Sequence, residues 1–261
     1  MLLVADVGNT NAMFGMYAPD SSDPLATVRT ATRHDRMPDE WYAILEPMLN
    51  AQGQSLMSVT GFVLSSVVPT VTRWLGVLSR NRLGVEPIIV SSKLELGLPI
   101  DADNPEEVGA DRIVNSLAAI EKYGAPVIAV DFGTALNFDV VDERGHYLGG
   151  ALAPGLVIAL EAMTSRAARL FSVDLVPPPK AIGTNTINAI QSGLVLGYIS
   201  LVEGMIARLS AEITGTPKVV VTGGYAELFS QNSDVIDAFD PNLTIDGLRM
   251  VWERVGNPKT E

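Results

Sequence analysis

Two stretches of the chain carry the same chemistry-bearing residues at nearly the same spacing. "LLVADVGNTN" sets Asp6, Gly8 and Thr10 after an apolar run, and "VIAVDFGTA" sets Asp131, Gly133 and Thr134 after another, 125 residues later. A carboxylate that ends an apolar run needs a partner, because a lone charge taken out of water is costly. A bound cation would serve. A glycine two residues on lets the backbone come close to a ligand with no Cβ in the way. Amide, hydroxyl and carboxamide donors follow it. Such a set suits a phosphate that arrives with Mg²⁺. The first loop is therefore read as Asp6, Val7, Gly8, Asn9, Thr10 and Asn11, with Asp6 near Mg²⁺ directly or through water. In the second, Thr134 offers its hydroxyl and N–H to a nucleotide. Either stretch alone also reads as a turn, and Gly-Asn is a good hairpin signal. It is the repetition that favours phosphate.

"VVVTGGYAE" supplies Gly223 and Gly224 where a strand stops before a helix. They leave a flat surface for a nucleotide, and a turn that requires positive φ accounts for them as well. "DADNPEEVGADRIVNSLAAI" is the richest segment. Asn104, Pro105, Glu106 and Glu107 read as a helix start with an N-cap and a first-turn proline. The turn breaks at Gly109, and a second helix begins around Asp111 with Ile113, Leu117 and Ile120 on its core face. A helix N-terminus carries free N–H groups and partial positive charge, so it suits anions. Asp111 there could take a proton from a substrate hydroxyl, and Arg112 could hold a carboxylate or phosphate. Helix capping by Asp111 with Arg112 on the surface is the plainer alternative.

These residues need elements to hold them. After each Asp-x-Gly the pattern reads strand, tight turn, strand, polar turn, strand: "AMFGMYA" and "LATVRTA" in the first half, "LNFDVVD" and "HYLGGALA" in the second. Helices follow each meander. Trp41, Ile44, Leu45 and Met48 have helical spacing, and so do Trp74, Val77 and Leu78. A long helical stretch from about Ile187 to Ile213 carries Leu194, Tyr198, Leu201 and Ile206 near one face, and "KVVVTGGYAEL" comes after it. The expected organisation is α/β with two related halves, 1–115 with the first phosphate loop and 116–261 with the second loop and the Gly223-Gly224 turn.

Bulk properties narrow the function. The chain has 261 residues, 47% of them hydrophobic, and 30 acidic residues against 18 basic give a formal charge of −12. Such a surface repels nucleic acid and anionic membranes, and neither is expected as a partner. Any phosphate ligand must bring cations with it. With no cysteine, thiolate chemistry, disulfides and Cys-ligated metals are excluded. Only His34 and His146 are present, too few for a histidine-rich metal site. "MLLVADVGN" has no basic n-region and reaches an acid at Asp6, unlike a signal peptide. No apolar run approaches the ~18 residues of a membrane span. The expected location is the cytoplasm.

The duplicated pattern resembles the actin-like (ribonuclease H-like) ATPase superfamily, which implies two related domains with ATP in the cleft between them. Within it, "DVGNTN", "SSVVP", "DNPEEVGADR", "VDFGTALNFDVVD", "GGALAPG", "IGTNT", "AIQSG" and "TGGYA", in this order, resemble the type III pantothenate kinases over nearly the whole chain. The resemblance implies ATP-dependent phosphorylation of pantothenate, the first step of coenzyme A synthesis, in a homodimer that uses Mg²⁺ and K⁺ or NH₄⁺. Asp111 would be the general base. Gly109, Ala110, Arg112, Thr186 and position 102 would line the pantothenate site. Asp131 would hold the monovalent cation, and Asp6–Met13 with Thr134 would bind ATP. The chain departs from the family at Ala102, where many members carry Tyr, and in "GTALNFD", where Leu136 and Asn137 replace two threonines. Two rival readings stay open: an actin-like kinase or phosphohydrolase with another substrate, and a non-catalytic actin-like partner protein.

Overall fold

The computed structural model describes residues 1–166 and 171–256. The chain divides into two compact units, Met1–Ala118 together with the segment from Asn242 onward, and Ala119–Pro241.

In the first unit, β1 (Leu2–Val7), β2 (Asn11–Tyr17) and β3 (Ala26–Ala31) form an antiparallel meander. Strand β4 (Gly61–Ser66) joins the other side of β1 in parallel, and the two-residue β5 (Ile88–Ile89) follows, giving the order β3-β2-β1-β4-β5. Strand alternation sends Leu3, Ala5, Val7, Ala12, Phe14, Val28, Phe62 and Leu64 to one face. There they pack with Trp41, Leu45 and Leu49 of α1 (Pro38–Asn50) and Val71, Leu75 and Leu78 of α2 (Pro69–Leu78). The buried stripe of α1 thus runs 41, 45, 49, and Met48, expected on it, is exposed.

The second unit repeats the plan. The antiparallel meander is β6 (Val127–Phe132), β7 (Ala135–Val141) and β8 (Tyr147–Pro154). Strand β9 (Lys218–Gly223) runs parallel to β6, and β10 (Ala238–Phe239) completes the order β10-β9-β6-β7-β8. Ile128, Val130, Phe132, Phe138, Val219 and Val221 share a core with the long helix and with Phe229 of α7 (Ala226–Ser230). Around them lie α4 (Leu156–Arg166), α5 (Thr186–Gln191) and α6 (Gly197–Ser210).

Two features differ from the sequence expectations. The segment from Asn242 packs with the first unit, not with the half drawn as 116–261, whose last residues, 257–261, lie outside the described ones. Helix α8 (Leu243–Val251) brings Leu243, Ile245, Leu248 and Val251 into the interior, and Tyr17 donates to the Asp246 carboxylate at 2.7 Å. Second, Pro105–Glu107 is a single 3-10 turn. Asn104 caps it with its backbone carbonyl, which accepts from Glu107 N–H at 3.0 Å, and not with its side chain. The long helical stretch expected from about Ile187 to Ile213 is one helix, Thr186–Ser210, in which a π-helical turn at Ser192–Leu196 joins α5 and α6. Among the described residues this is the one helix long and apolar enough to cross a membrane. Its stripe of Ile190, Leu194, Val195, Ile199, Val202 and Ile206 is buried within its own unit, as in a core helix.

Candidate active site

In the first unit, chemistry gathers at the C-terminal end of β1, on the sheet face opposite α1 and α2. Parallel pairing sets Ser65 beside Asp6, and antiparallel pairing sets Met13 beside Asp6 and Arg29 beside Met13. One register row therefore runs Ser65, Asp6, Met13, Arg29. The Ser65 hydroxyl donates to Asp6 Oδ1 at 2.9 Å. The Arg29 guanidinium lies 3.7 Å from Met13 Sδ.

The β1–β2 loop is tied down by its own backbone. Gly8 N–H donates to the Asn11 carbonyl at 2.9 Å, Thr32 Oγ1–H donates to the Gly8 carbonyl at 2.7 Å, and Thr32 N–H donates to the Thr10 carbonyl at 2.9 Å. Asn9, Thr10 and Asn11 are exposed, whereas the side chains of Val7 and Ala12 are buried in the core and leave only their backbone for a ligand. Gly8 has ordinary room for a Cβ, which would sit 3.4 Å from the Asn11 carbonyl. Nothing within the chain demands glycine there, which is consistent with a need imposed by a ligand.

Helix α3 (Ala110–Tyr123) starts at the predicted place. Gly109 precedes it, and a Cβ on Gly109 would come within 2.4 Å of Asp111 Oδ1. The missing side chain is what makes room for the carboxylate. Asp111 Oδ1 accepts from Arg112 N–H at 2.9 Å, so it does satisfy one free amide of the helix start. Burial still holds the Asp111 carboxyl above its ordinary range, against the opposing pull of that amide and of the Arg112 charge.

Asp6 and Asp111 act on one another. Burial pushes the Asp6 carboxyl from 3.8 up to about 7. The Asp111 charge adds to the rise, and the Ser65 hydrogen bond and the Arg29 charge oppose it. Two partly buried acids in mutual Coulombic reach are a costly arrangement that a divalent cation relieves. The donor set therefore fits Mg²⁺.

The sign of the resulting pH effect is definite. An acid with a raised folded-state pKa binds a proton in the folded chain that the unfolded chain has released, here between pH 3.8 and about 7. Metal-free stability is expected to fall as pH rises through that window. Thermal melting against pH, with no divalent ion, should show the fall. Mg²⁺ should reverse part of it, and Asp6→Asn should flatten it.

In the second unit, Asp131 is the last residue but one of β6 and lies close to two glycines. A Cβ on Gly133 would lie 3.6 Å from Asp131 Oδ1. One on Gly223 would lie 2.6 Å from the same oxygen and 2.7 Å from the Phe132 carbonyl oxygen. Gly223 also has φ +97°, a left-handed backbone that disfavours any side chain. The bare Gly223 backbone thus packs closely against the Asp131 carboxylate and against the Phe132 carbonyl, which accepts from Gly224 N–H at 3.1 Å. Gly133 and Thr134 form the turn into β7, and Thr134 offers its carbonyl to Gly155 N–H at 3.0 Å. Gly224 has open space around it. Leu136 lies in the core, and Asn137 pairs with Asp131 across β6 and β7, with its buried Oδ1 accepting no hydrogen bond.

Of the residues expected at the site, the structure brings together Asp6, Gly109, Asp111 and Arg112 in the first unit, and Asp131, Gly133 and Gly223 in the second. Ala110 is the first residue of α3, and Ala102 is half-buried ahead of the 3-10 turn. Thr186 is exposed at the start of α5, where Asn185 caps the helix by accepting from Asn188 N–H at 2.9 Å. Sequence reasoning missed Ser65, Thr32 and Arg29. Ser65 stood inside the quoted "SSVVP", and only the strand pairing gives it a target.

Residues 2–208 match the family described as type III pantothenate kinase. A type III pantothenate kinase of Thermomicrobium roseum is 48% identical over 98% of each chain, and one of Moorella thermoacetica is 46% identical over 97% of this chain and 99% of its own. In fold, the chain is similar to the activator of the 2-hydroxyisocaproyl-CoA dehydratase from Clostridium difficile with bound ADPNP, at TM-score 0.50 and 11% identity over 99% of each chain. With the duplicated five-stranded sheet, that likeness shows a two-domain actin-like fold. From the length of the match and the identities, the chain belongs to the type III pantothenate kinase family.

Proposed function

We propose that the chain transfers the γ-phosphoryl group of ATP to pantothenate, giving 4'-phosphopantothenate in the first step of coenzyme A synthesis. Beyond family membership, the observation that carries this reading is Asp111: a partly buried carboxylate at a helix start, cleared by Gly109 and paired electrostatically with Asp6. Asp111 accepts the proton of the substrate's primary hydroxyl, the freed oxygen bonds to the γ-phosphorus, and the bond to the ADP oxygen breaks. Its raised pKa suits a base that works near neutral pH. Arg112 holds the substrate's carboxylate. Ala102, Gly109, Ala110 and Thr186 line the pantothenate site. The Asp6–Met13 loop, Thr134, Gly223 and Gly224 bind ATP. Asp6 would hold Mg²⁺, directly or through water, and when bound that ion offsets charge on the phosphate oxygens.

A coupled ADP-release assay with and without pantothenate tests the assignment. Acceptor-dependent ADP release supports it. Phosphate release without an acceptor would mark a phosphohydrolase. An absence of turnover with pantothenate and with a panel of other small alcohols would mark a non-catalytic partner protein.

Asp131 would hold K⁺ or NH₄⁺, which adds positive charge that a chain of formal charge −12 lacks. At equal ionic strength, activity should fall when a bulky organic cation replaces K⁺. Fixing ionic strength separates a bound ion from general screening. Asp131→Ala should remove the dependence together with most of the activity. Equal rates in both salts would remove the monovalent site and leave the kinase assignment in place.

The acidic surface fits a cytoplasmic enzyme. A second copy of the chain is the expected partner, supported by exposed Leu152 on β8 and exposed Val157 and Ile158 on α4.

A further inference from the structure

Strand β4 reads "GFVLSS", and its alternation puts Phe62 and Leu64 into the core, with Val63 and Ser65 on the opposite face. An apolar residue would suit position 65, which is fully buried. A buried hydroxyl can settle on a nearby backbone carbonyl, as Ser79 does with Val85 at 2.6 Å. Ser65 gives its proton instead to Asp6 Oδ1, at 2.9 Å, across the parallel β1–β4 pairing. The second unit repeats the placement: β9 takes the position of β4, and Thr222, also buried, is the register partner of Asp131. Each of β1 and β6, with its carboxylate one residue from the strand's end, therefore has a hydroxyl residue beside the acid on the parallel neighbour.

We propose that Ser65 is a positioning residue for phosphoryl transfer: its hydroxyl ties one oxygen of Asp6 and so fixes the carboxylate, leaving the other oxygen to the magnesium–nucleotide complex. This rests on the reading of Asp6 as a Mg²⁺ residue. Ser65 itself touches neither substrate nor metal. It acts on the angle at which Asp6 is held, and a carboxylate free to turn binds the metal less well.

The test follows binding of Mn²⁺ with ADP to the full chain, by the electron paramagnetic resonance signal of free Mn²⁺, so that it does not depend on turnover. Ser65→Ala, Asp6→Asn and the double variant form a cycle with the parent. Ser65→Ala should weaken Mn²⁺·ADP binding about tenfold, the scale of one hydrogen bond to a charged group, with metal-free ADP binding unchanged. In the Asp6→Asn background the serine change should cost nothing more, because its target has gone. Ser65→Thr, which keeps the hydroxyl, should restore binding. A Ser65→Ala affinity equal to the parent's, or a loss that adds in full to that of Asp6→Asn, overturns the proposal. An Asp6→Asn variant with parental affinity removes the metal reading of Asp6 and this proposal with it. Should Ser65→Ala not fold, Ser65→Cys, of similar volume and a poor donor, takes its place with the same outcomes.

Discussion

Asp111→Asn is expected to lower turnover with pantothenate by roughly 10²–10⁴-fold, the usual worth of a general base, while fold and ATP binding persist. The separation follows from the two functions of the carboxylate. As an acceptor it takes the Arg112 N–H at 2.9 Å, and the Asn carboxamide oxygen can take the same hydrogen bond, so the start of α3 stays intact. As a base it must hold a proton, which the carboxamide cannot do. The variant should also relieve Asp6, whose carboxyl is pushed up partly by the Asp111 charge. Parental melting temperature and ATP affinity with the rate collapsed would support the base assignment. A near-parental rate would leave Asp111 as a helix cap alone.

Gly223→Ala should have the largest structural effect of any substitution considered. The new Cβ would meet Asp131 Oδ1 at 2.6 Å and the Phe132 carbonyl oxygen at 2.7 Å, from a backbone at φ +97°. Strain in that region alone costs about 1–3 kcal/mol, and the contacts add to it. A loss near 2 kcal/mol corresponds to a fall of roughly 4–8 °C in Tm for a chain of this size. Activity should drop further than stability, since the atom displaced is the proposed cation ligand. Gly224→Ala is the matched control: nothing in the chain lies within 4 Å of its Cβ, so the fold should tolerate it. A rise in the KM for ATP at unchanged Tm would mark that open space as nucleotide surface. If Gly223→Ala melts with the parent and keeps its rate, the close packing of Gly223 on Asp131 does not matter as the geometry says.

Much of this is legible in the sequence. The two Asp-x-Gly stretches announce themselves because a strand–turn–strand unit is local: the residues that define β1 and β2, or β6 and β7, are neighbours in the chain. Helix α1 was legible for the same reason, although its stripe shifted from 48 to 49 because Leu49, and not Met48, falls in line with Trp41 and Leu45. What the sequence hid was non-local. Asp6 and Asp111 are far apart in the chain, and only folding shows that each feels the other's charge. Ser65 became meaningful through a parallel register that no spacing rule encodes. The start of α3 was found from glycine and acid, yet the reason for Gly109, a clash with Asp111 Oδ1 at 2.4 Å, needed the side chain in place.

The return of α8 to the first unit has a consequence for how the protein is made. Its residues Leu243, Ile245, Leu248 and Val251 are buried among the elements of that unit, and Gly247 lets α3 approach so closely that a Cβ would lie 2.3 Å from the Val114 carbonyl oxygen. The ribosome delivers α8 only after the whole of Ala119–Pro241. The second unit, one unbroken stretch, can therefore settle during synthesis, whereas the first emerges earlier and must wait with one flank of its sheet exposed. Order of birth and order of completion are reversed. A nascent chain stalled near Pro241 should bind chaperones through its N-terminal sheet, and protease should cut that older half first.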